Sequence, residues 1–107
     1  MNNSKERTII CVIGLGFVGL PVAEAFSRYF HVIGFDIDKN RLKELNLTNN
    51  NPNFTITNKP QRIREADFIL ITVPTPVTKS KDPDLSHIIS ASKTIINNMK
   101  AGCTVVI

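Results

Sequence analysis

Cysteine, histidine and long apolar runs are all scarce in this chain, and each scarcity closes off a class of function. Its 107 residues include two cysteines, Cys11 and Cys103, and two histidines, His31 and His87. Two distant cysteines with no ligand-like spacing make neither a disulfide framework nor a metal site. Both lie in apolar, strand-like runs, so they are expected to be buried, reduced thiols, which fits a cytoplasmic protein. His31 and His87 have no partner for nucleophilic or metal chemistry and read as structural or exposed. No run of 18 apolar residues occurs, so no membrane span is expected. The apolar stretch near the N-terminus is broken by glycines and turns amphipathic, unlike a signal peptide. Charge of one sign is not gathered either. The net charge is +4, but Lys39, Arg41, Lys43, Arg62, Arg64, Lys79 and Lys81 are scattered, the pattern of a solvated surface rather than a nucleic-acid patch.

What remains is ordinary globular composition, 42% apolar and 21% charged. At this length the chain makes one domain with a real core, small for a complete two-substrate enzyme. The stretch Thr8 to Ala25, T-I-I-C-V-I-G-L-G-F-V-G-L-P-V-A-E-A, organises the rest. Ile9, Ile10, Val12 and Ile13 form a short, β-branched apolar run, as in a strand covered on both faces. Gly14, Gly16 and Gly19 follow as G-x-G-x-x-G. Val18, Val22, Ala25, Phe26 and Tyr29 then recur at helical spacing, with Phe26 and Tyr29 read as core and Pro21 in the first turn.

In that strand-turn-helix context each glycine has a task. Gly14 allows the tight turn, Gly16 admits a pyrophosphate to the backbone, and Gly19 lets the helix approach the strand. The helix N-terminus supplies free N–H groups and the positive dipole end. A second apolar run, His31 to Phe35, ends at Asp36, 22 positions beyond Gly14. The dinucleotide fingerprint places an acidic residue about 20 positions on, where it accepts hydrogen bonds from the adenosine ribose. A carboxylate there repels a 2′-phosphate, favouring NAD over NADP. Arg41 pulls the other way, since an arginine beside the ribose can receive that phosphate.

Further along, Met1 to Glu6 is polar and expected to fray. Asp38 caps a helix to about Asn46 that turns Leu42 and Leu45 inward. Asn46 to Asn53 is a loop, and Phe54 to Thr57 alternates as a short edge strand. Pro60 opens a helix to about Ala66, buried through Ile63 and Ala66. Phe68 to Val73 is a central parallel strand ending at Pro74-Thr75-Pro76. Asp84 or Ser86 caps a helix with the apolar stripe Leu85, Ile88, Ile89, Ile95, Ile96 and Met99; Asp84 reads as a cap rather than a substrate ligand. Gly102 stops that helix, with Lys100 near its negative end. Cys103 to Ile107 is a fifth strand.

Alternating strands and helices imply an α/β fold, a Rossmann-type doubly wound parallel sheet of order 3-2-1-4-5, truncated after the fifth strand. In that order the glycine turn and the Pro74–Pro76 loop face each other across one crevice. Pro74 and Thr75 would then meet a bound dinucleotide.

The motifs G-L-G-F-V-G-L-P-V-A, G-F-D-I-D-K-N-R, V-P-T-P-V and P-D-L-S resemble the N-terminal domain of the UDP-glucose/GDP-mannose dehydrogenase family, over Ile9 to Ile107. V-P-T-P with P-D-L-S is most similar to the branch acting on UDP-N-acetylhexosamines. The resemblance implies oxidation of a sugar C6 alcohol to a carboxylate with two NAD per turnover. It implies Phe17 and Val18 at the pyrophosphate turn, Asp36 at the adenosine ribose, Arg41 beside the adenine and Thr75 touching the cofactor. A UDP-sugar and homo-oligomeric assembly are implied for a full-length parent. Two departures stand out. Leu47 to Asn53 is shorter than the family's usual segment. The family's catalytic cysteine belongs to a later domain, which Cys11 and Cys103 do not match, and the serine-threonine pair after the fifth strand is missing. Residues 1–107 are therefore expected to be a fragment, the NAD-binding domain without the UDP-sugar domains, and catalytically inactive alone. The alternative is a non-catalytic NAD-sensing regulatory module.

Overall fold

A computed structural model describes residues 8–107; the polar segment Met1 to Glu6 lies outside the described residues. Five parallel strands form one sheet in the order β3-β2-β1-β4-β5. They are β1 (Ile9–Ile13), β2 (His31–Phe35), β3 (Phe54–Thr57), β4 (Phe68–Ile71) and β5 (Thr104–Val106), with helices α1 (Gly19–Phe26), α2 (Lys39–Thr48) and α3 (Ser86–Asn98) between them. The strand order is the doubly wound one expected from the alternation of strands and helices.

Side-chain alternation along β1 divides the core. Cys11 and Ile13 point to one face, with Ile33, Phe35, Ile69, Ile71 and α3 residues Ala91 and Ile95. Ile10 and Val12 point to the other, with Val32, Leu42, Phe54 and α1 residue Ala23. Each fully buried aliphatic side chain contributes about 1.5–3 kcal/mol, so a sheet covered on both sides is where this sequence gains most. Burial also pushes the Cys11 thiol up to about 12. It is a core hydrophobe rather than a nucleophile.

Several elements differ from expectation. Helix α1 stops at Phe26, and Arg28 and Tyr29 close tighter turns onto Ala25 and Phe26. That breaks the 3.6 period, so Tyr29 is exposed while Ser27 is buried instead. The Ser27 hydroxyl donates to Glu24 O and accepts from Asn51 Nδ2 at 2.9 Å. Val18 and Ala25 are exposed too, leaving Gly19 and Ala23 as the buried residues of α1. Helix α2 runs on to Thr48, two residues beyond the expected end, and Asn49 donates from its side chain to Phe54 O at 2.7 Å. The short asparagine-rich connection is thus braced by its own amides. Pro60–Glu65 is a 3-10 helix rather than an α-helix, with Ile63 and Ala66 buried as expected.

β4 ends at Ile71, so Thr72 and Val73 already belong to the loop. The apolar arc of α3 is wider than its footprint on the sheet. Ala91 and Ile95 are buried, whereas Leu85, Ile89, Ile96 and Met99 are exposed. β5 is an edge strand whose residues are all exposed, and Cys103, just before it, is half-buried. Lys100, two residues beyond the end of α3, pairs through its Nζ with Asp67 Oδ1 at 2.6 Å.

Candidate functional site

β1 runs straight into the glycine turn. Gly14 adopts φ +94°, a left-handed conformation that costs glycine little. Its N–H donates to Phe35 O at 2.8 Å, extending the β1–β2 ladder one step past the strand. Gly19 is needed for close approach, because a Cβ there would lie 1.7 Å from Gly14 O. At Gly16 a Cβ would meet only Arg41 Nη1, at 3.6 Å, so the backbone lies open on that side. Among the described residues no acceptor meets the N–H groups of Gly16, Phe17 or Val18, and α1 has neither a side-chain cap nor an acid in its first turn. These free donors and the positive dipole end form a receptive surface for a diphosphate.

Asp36 sits one residue beyond β2 and is 8% exposed. Its Oδ2 accepts the Leu15 N–H at 2.8 Å, and its Oδ1 accepts the Asp38 N–H at 2.9 Å. Arg41 Nη1 lies 3.6 Å from Oδ2. Asp38 caps α2 by accepting from Asn40 and Arg41 N–H, which fixes where Arg41 leaves the helix. Each Asp36 oxygen keeps a further lone pair for a ligand hydroxyl.

Between these groups and α3 lies a cavity of about 380 Å³. Gly14, Gly16, Asp36, Arg41 and Pro74 line it, so five of the expected site residues share one cleft. Gly19 is buried beneath the turn, while the side chains of Phe17, Val18 and Thr75 are exposed and outside the lining. The side chains of Phe17 and Val18 do not line the cavity, and their unpaired backbone N–H groups are what they offer a ligand there. Thr75 belongs to an exposed loop that folds back on itself: Asp84 N–H donates to Pro76 O at 2.7 Å, and Val77 bridges Pro83. Asp84 acts as a helix brace. Its carboxylate accepts the Ser86 N–H at 2.9 Å, and the hydrogen bonds from Ser86 hold it below the usual carboxylate range.

The far wall was not read from the sequence. His87, Ser90, Ala91 and Thr94 of α3 line the same cavity. They lie at i, i+3, i+4 and i+7, one face of the helix, but the apolar stripe beside them is the stronger signal in the sequence. Thr72 was missed as well. Its hydroxyl donates to Gly14 O at 2.7 Å and lies 3.0 Å from Ile13 O, tying β4 to the turn.

Sheet order, glycine turn and terminal carboxylate together define a class: a doubly wound nucleotide-binding domain with its crevice at the carboxyl ends of the strands. The family follows from sequence comparison. The model of the UDP-glucose/GDP-mannose dehydrogenase family, NAD binding domain, matches residues 8–52 and 46–107, and the chain belongs to this family. The two matched pieces meet in the short asparagine-rich connection. Protein CapL of Staphylococcus aureus is 44% identical over 97 residues, covering 80% of this chain and 23% of that protein. A UDP-N-acetyl-D-glucosamine 6-dehydrogenase of Salmonella typhi is 38% identical over 113 residues, covering 94% and 27%. The solved UDP-D-ManNAc dehydrogenase of Pyrococcus horikoshii superposes with a TM-score of 0.83 at 28% identity, covering 92% of this chain and 27% of that one. The chain spans about a quarter of the length of these relatives. NAD is the cofactor of the family, and the open backbone at Gly16, the free turn amides and the Asp36 carboxylate fit it.

Proposed function

We propose that the cleft holds NAD with its diphosphate on the N–H groups of Gly16, Phe17 and Val18 and its adenosine ribose on Asp36. The adenine then lies toward Arg41 and the α3 wall. The observation that carries this reading is the Asp36 carboxylate, buried at the strand end yet opening onto the same cavity as the glycine turn. Arg41 already faces that carboxylate at 3.6 Å, which leaves it less free to receive a 2′-phosphate and favours NAD over NADP.

On the relatives' activities, the chain is the cofactor-binding part of a nucleotide-sugar 6-dehydrogenase that oxidises the C6 alcohol of a UDP-N-acetylhexosamine to a uronate. Bound NAD supplies the hydride acceptor, and two are used per sugar. The chain's own residues bind and orient. The nucleophile and the UDP-sugar pocket are assigned to the length that the relatives have beyond this domain, and a homo-oligomer is proposed for the full-length protein. The free cysteines accord with a cytoplasmic setting. The relatives' dehydrogenase names favour the enzyme over a purely regulatory sensor.

Titration calorimetry tests the cofactor reading. NAD binding, with NADP at least about tenfold weaker, is the expected result. No NAD binding, or NADP binding as tightly, would overturn it.

A further inference from the structure

The peptide joining Gly14 to Leu15 is held at both ends. Its carbonyl accepts from Thr72 Oγ1 at 2.7 Å, and its N–H donates to Asp36 Oδ2 at 2.8 Å. The two holding groups flank β1 on opposite sides, Thr72 just after β4 and Asp36 just after β2. Thr72 is itself docked, because its backbone N–H donates to Ile13 O at 2.9 Å. Its hydroxyl has one hydrogen near two carbonyls and makes the shorter contact with Gly14. Gly19 packs onto the same spot: a Cβ there would lie 2.4 Å from Thr72 Oγ1.

We propose that Thr72 is a positioning residue for the cofactor's diphosphate. A peptide plane following a glycine turns with little steric resistance. If this one rotated, Gly14 O would leave the β1–β4 seam and Leu15 N–H would leave Asp36. The turn that aims the next N–H groups, at Gly16, Phe17 and Val18, would lose its reference point. The hydroxyl prevents that rotation from one side and the Asp36 carboxylate from the other. Asp36 thereby serves the turn as well as the ribose. Thr72 touches no ligand; it acts through Gly14. A valine at this position would keep the shape and remove the donor, leaving Gly14 O without it in the seam.

The proposal rests on the NAD-binding reading above and is tested separately from it. NAD, ADP-ribose and adenosine are titrated into the wild-type chain, Thr72→Val and Thr72→Ser, with amide chemical shifts as the readout. ADP-ribose carries the diphosphate without the nicotinamide, and adenosine carries the ribose and base without the diphosphate. Thr72→Val is expected to weaken NAD and ADP-ribose about three- to tenfold, the effect of one hydrogen bond. It should leave adenosine within about twofold, and Thr72→Ser should restore the wild-type affinities. Unchanged NAD affinity in Thr72→Val, or an equal loss for adenosine, would overturn the proposal. So would a serine variant as weak as the valine one, since that would assign the effect to the lost methyl group. If the valine variant does not fold, Thr72→Ala takes its place: NAD and ADP-ribose weakened about three- to tenfold, with Thr72→Ser at wild-type affinity, supports the hydroxyl, and unchanged affinity in Thr72→Ala refutes it. A wild-type chain that binds none of the three ligands would remove the NAD-binding reading, and this proposal with it.

Discussion

The two ends of the sheet use the same device for different purposes. At each end of β1 an aspartate from a neighbouring strand accepts a backbone N–H. Asp36, after β2, takes Leu15 at 2.8 Å, and Asp67, before β4, takes Ile9 at 2.9 Å. Asp67 is closed off by its own lysine, with Lys100 Nζ at 2.6 Å on the other oxygen. Asp36 has its arginine at 3.6 Å, outside hydrogen-bonding distance, and a cavity in front. A carboxylate whose positive partner is in full contact contributes to folding. One whose partner stands off keeps acceptor capacity for a ligand. Parallel sheets place that second kind at the carboxyl ends of the strands, where loops of free length surround it.

Substitutions can break this contrast, and the largest effect is expected at Gly19. Gly19→Ala sets a Cβ 1.7 Å from a backbone carbonyl that is itself held in place, so α1 must move off the sheet. We expect a loss of about 3 kcal/mol or more in urea denaturation, together with loss of NAD binding. A midpoint like that of the wild type would contradict the close-packed turn.

Asp36→Ala comes next. It should weaken NAD by about 1–3 kcal/mol in calorimetry, the usual cost of unpairing hydrogen bonds to a charged group, and narrow the preference for NAD over NADP. An unchanged dissociation constant would remove Asp36 from the site. Asp67→Asn is the matching control: NAD affinity should stay put while stability falls by less than about 1 kcal/mol, as for a partly exposed pair. The hydrogen bond from Lys100, then the one from Ile9 N–H, hold the Asp67 carboxyl below its ordinary 3.8. A depressed folded-state value means this stabilisation is present above pH about 3.8 and is lost as pH falls through the folded value. The melting difference between Asp67→Asn and wild type should therefore close on acidification. A difference that persisted at low pH would point to packing instead of charge.

The smallest effect is expected at Phe17, whose side chain is wholly exposed. Phe17→Ala should change stability by no more than about 0.5 kcal/mol and leave NAD affinity unaltered, because only its backbone faces the diphosphate. A marked affinity loss would mean that the ring folds over the cofactor. Separately, the chain alone should form no NADH with UDP-N-acetylmannosamine, since Cys11 is packed in the core and neither Cys11 nor Cys103 lines the cleft.

How much of this was legible in the sequence depends on the kind of signal. The strands came from continuous β-branched runs, which report burial on both faces, and their order from the alternation with helices that a doubly wound sheet requires. The glycine turn and Asp36 came from fixed spacing, which reports backbone geometry. Surface against core along a helix was harder. Tyr29 lay on the apolar period, but the helix had already ended at Phe26, and no residue in Ser27-Arg28 announces that stop. On α3 the isoleucines suggested a wide buried face, whereas the described sheet covers only the stripe through Ala91 and Ile95. The polar residues His87, Ser90 and Thr94 sit beside that stripe and line the cleft, a role composition does not reveal. Thr72 was hidden for a different reason. It sits at the end of an apolar run, and its importance lies in a single hydroxyl meeting a carbonyl 58 residues earlier in the chain.

The central claim is that this cleft holds a dinucleotide with its diphosphate on the turn amides and its ribose on Asp36. A titration of the isotope-labelled chain with NAD, followed through backbone amide shifts, tests it most directly. The account predicts that the largest shifts fall on Gly16 to Gly19 and on Asp36 to Arg41, with the strand ends around Asp67 still. Shifts confined to the Asp67 end, or none at saturating NAD, would contradict it.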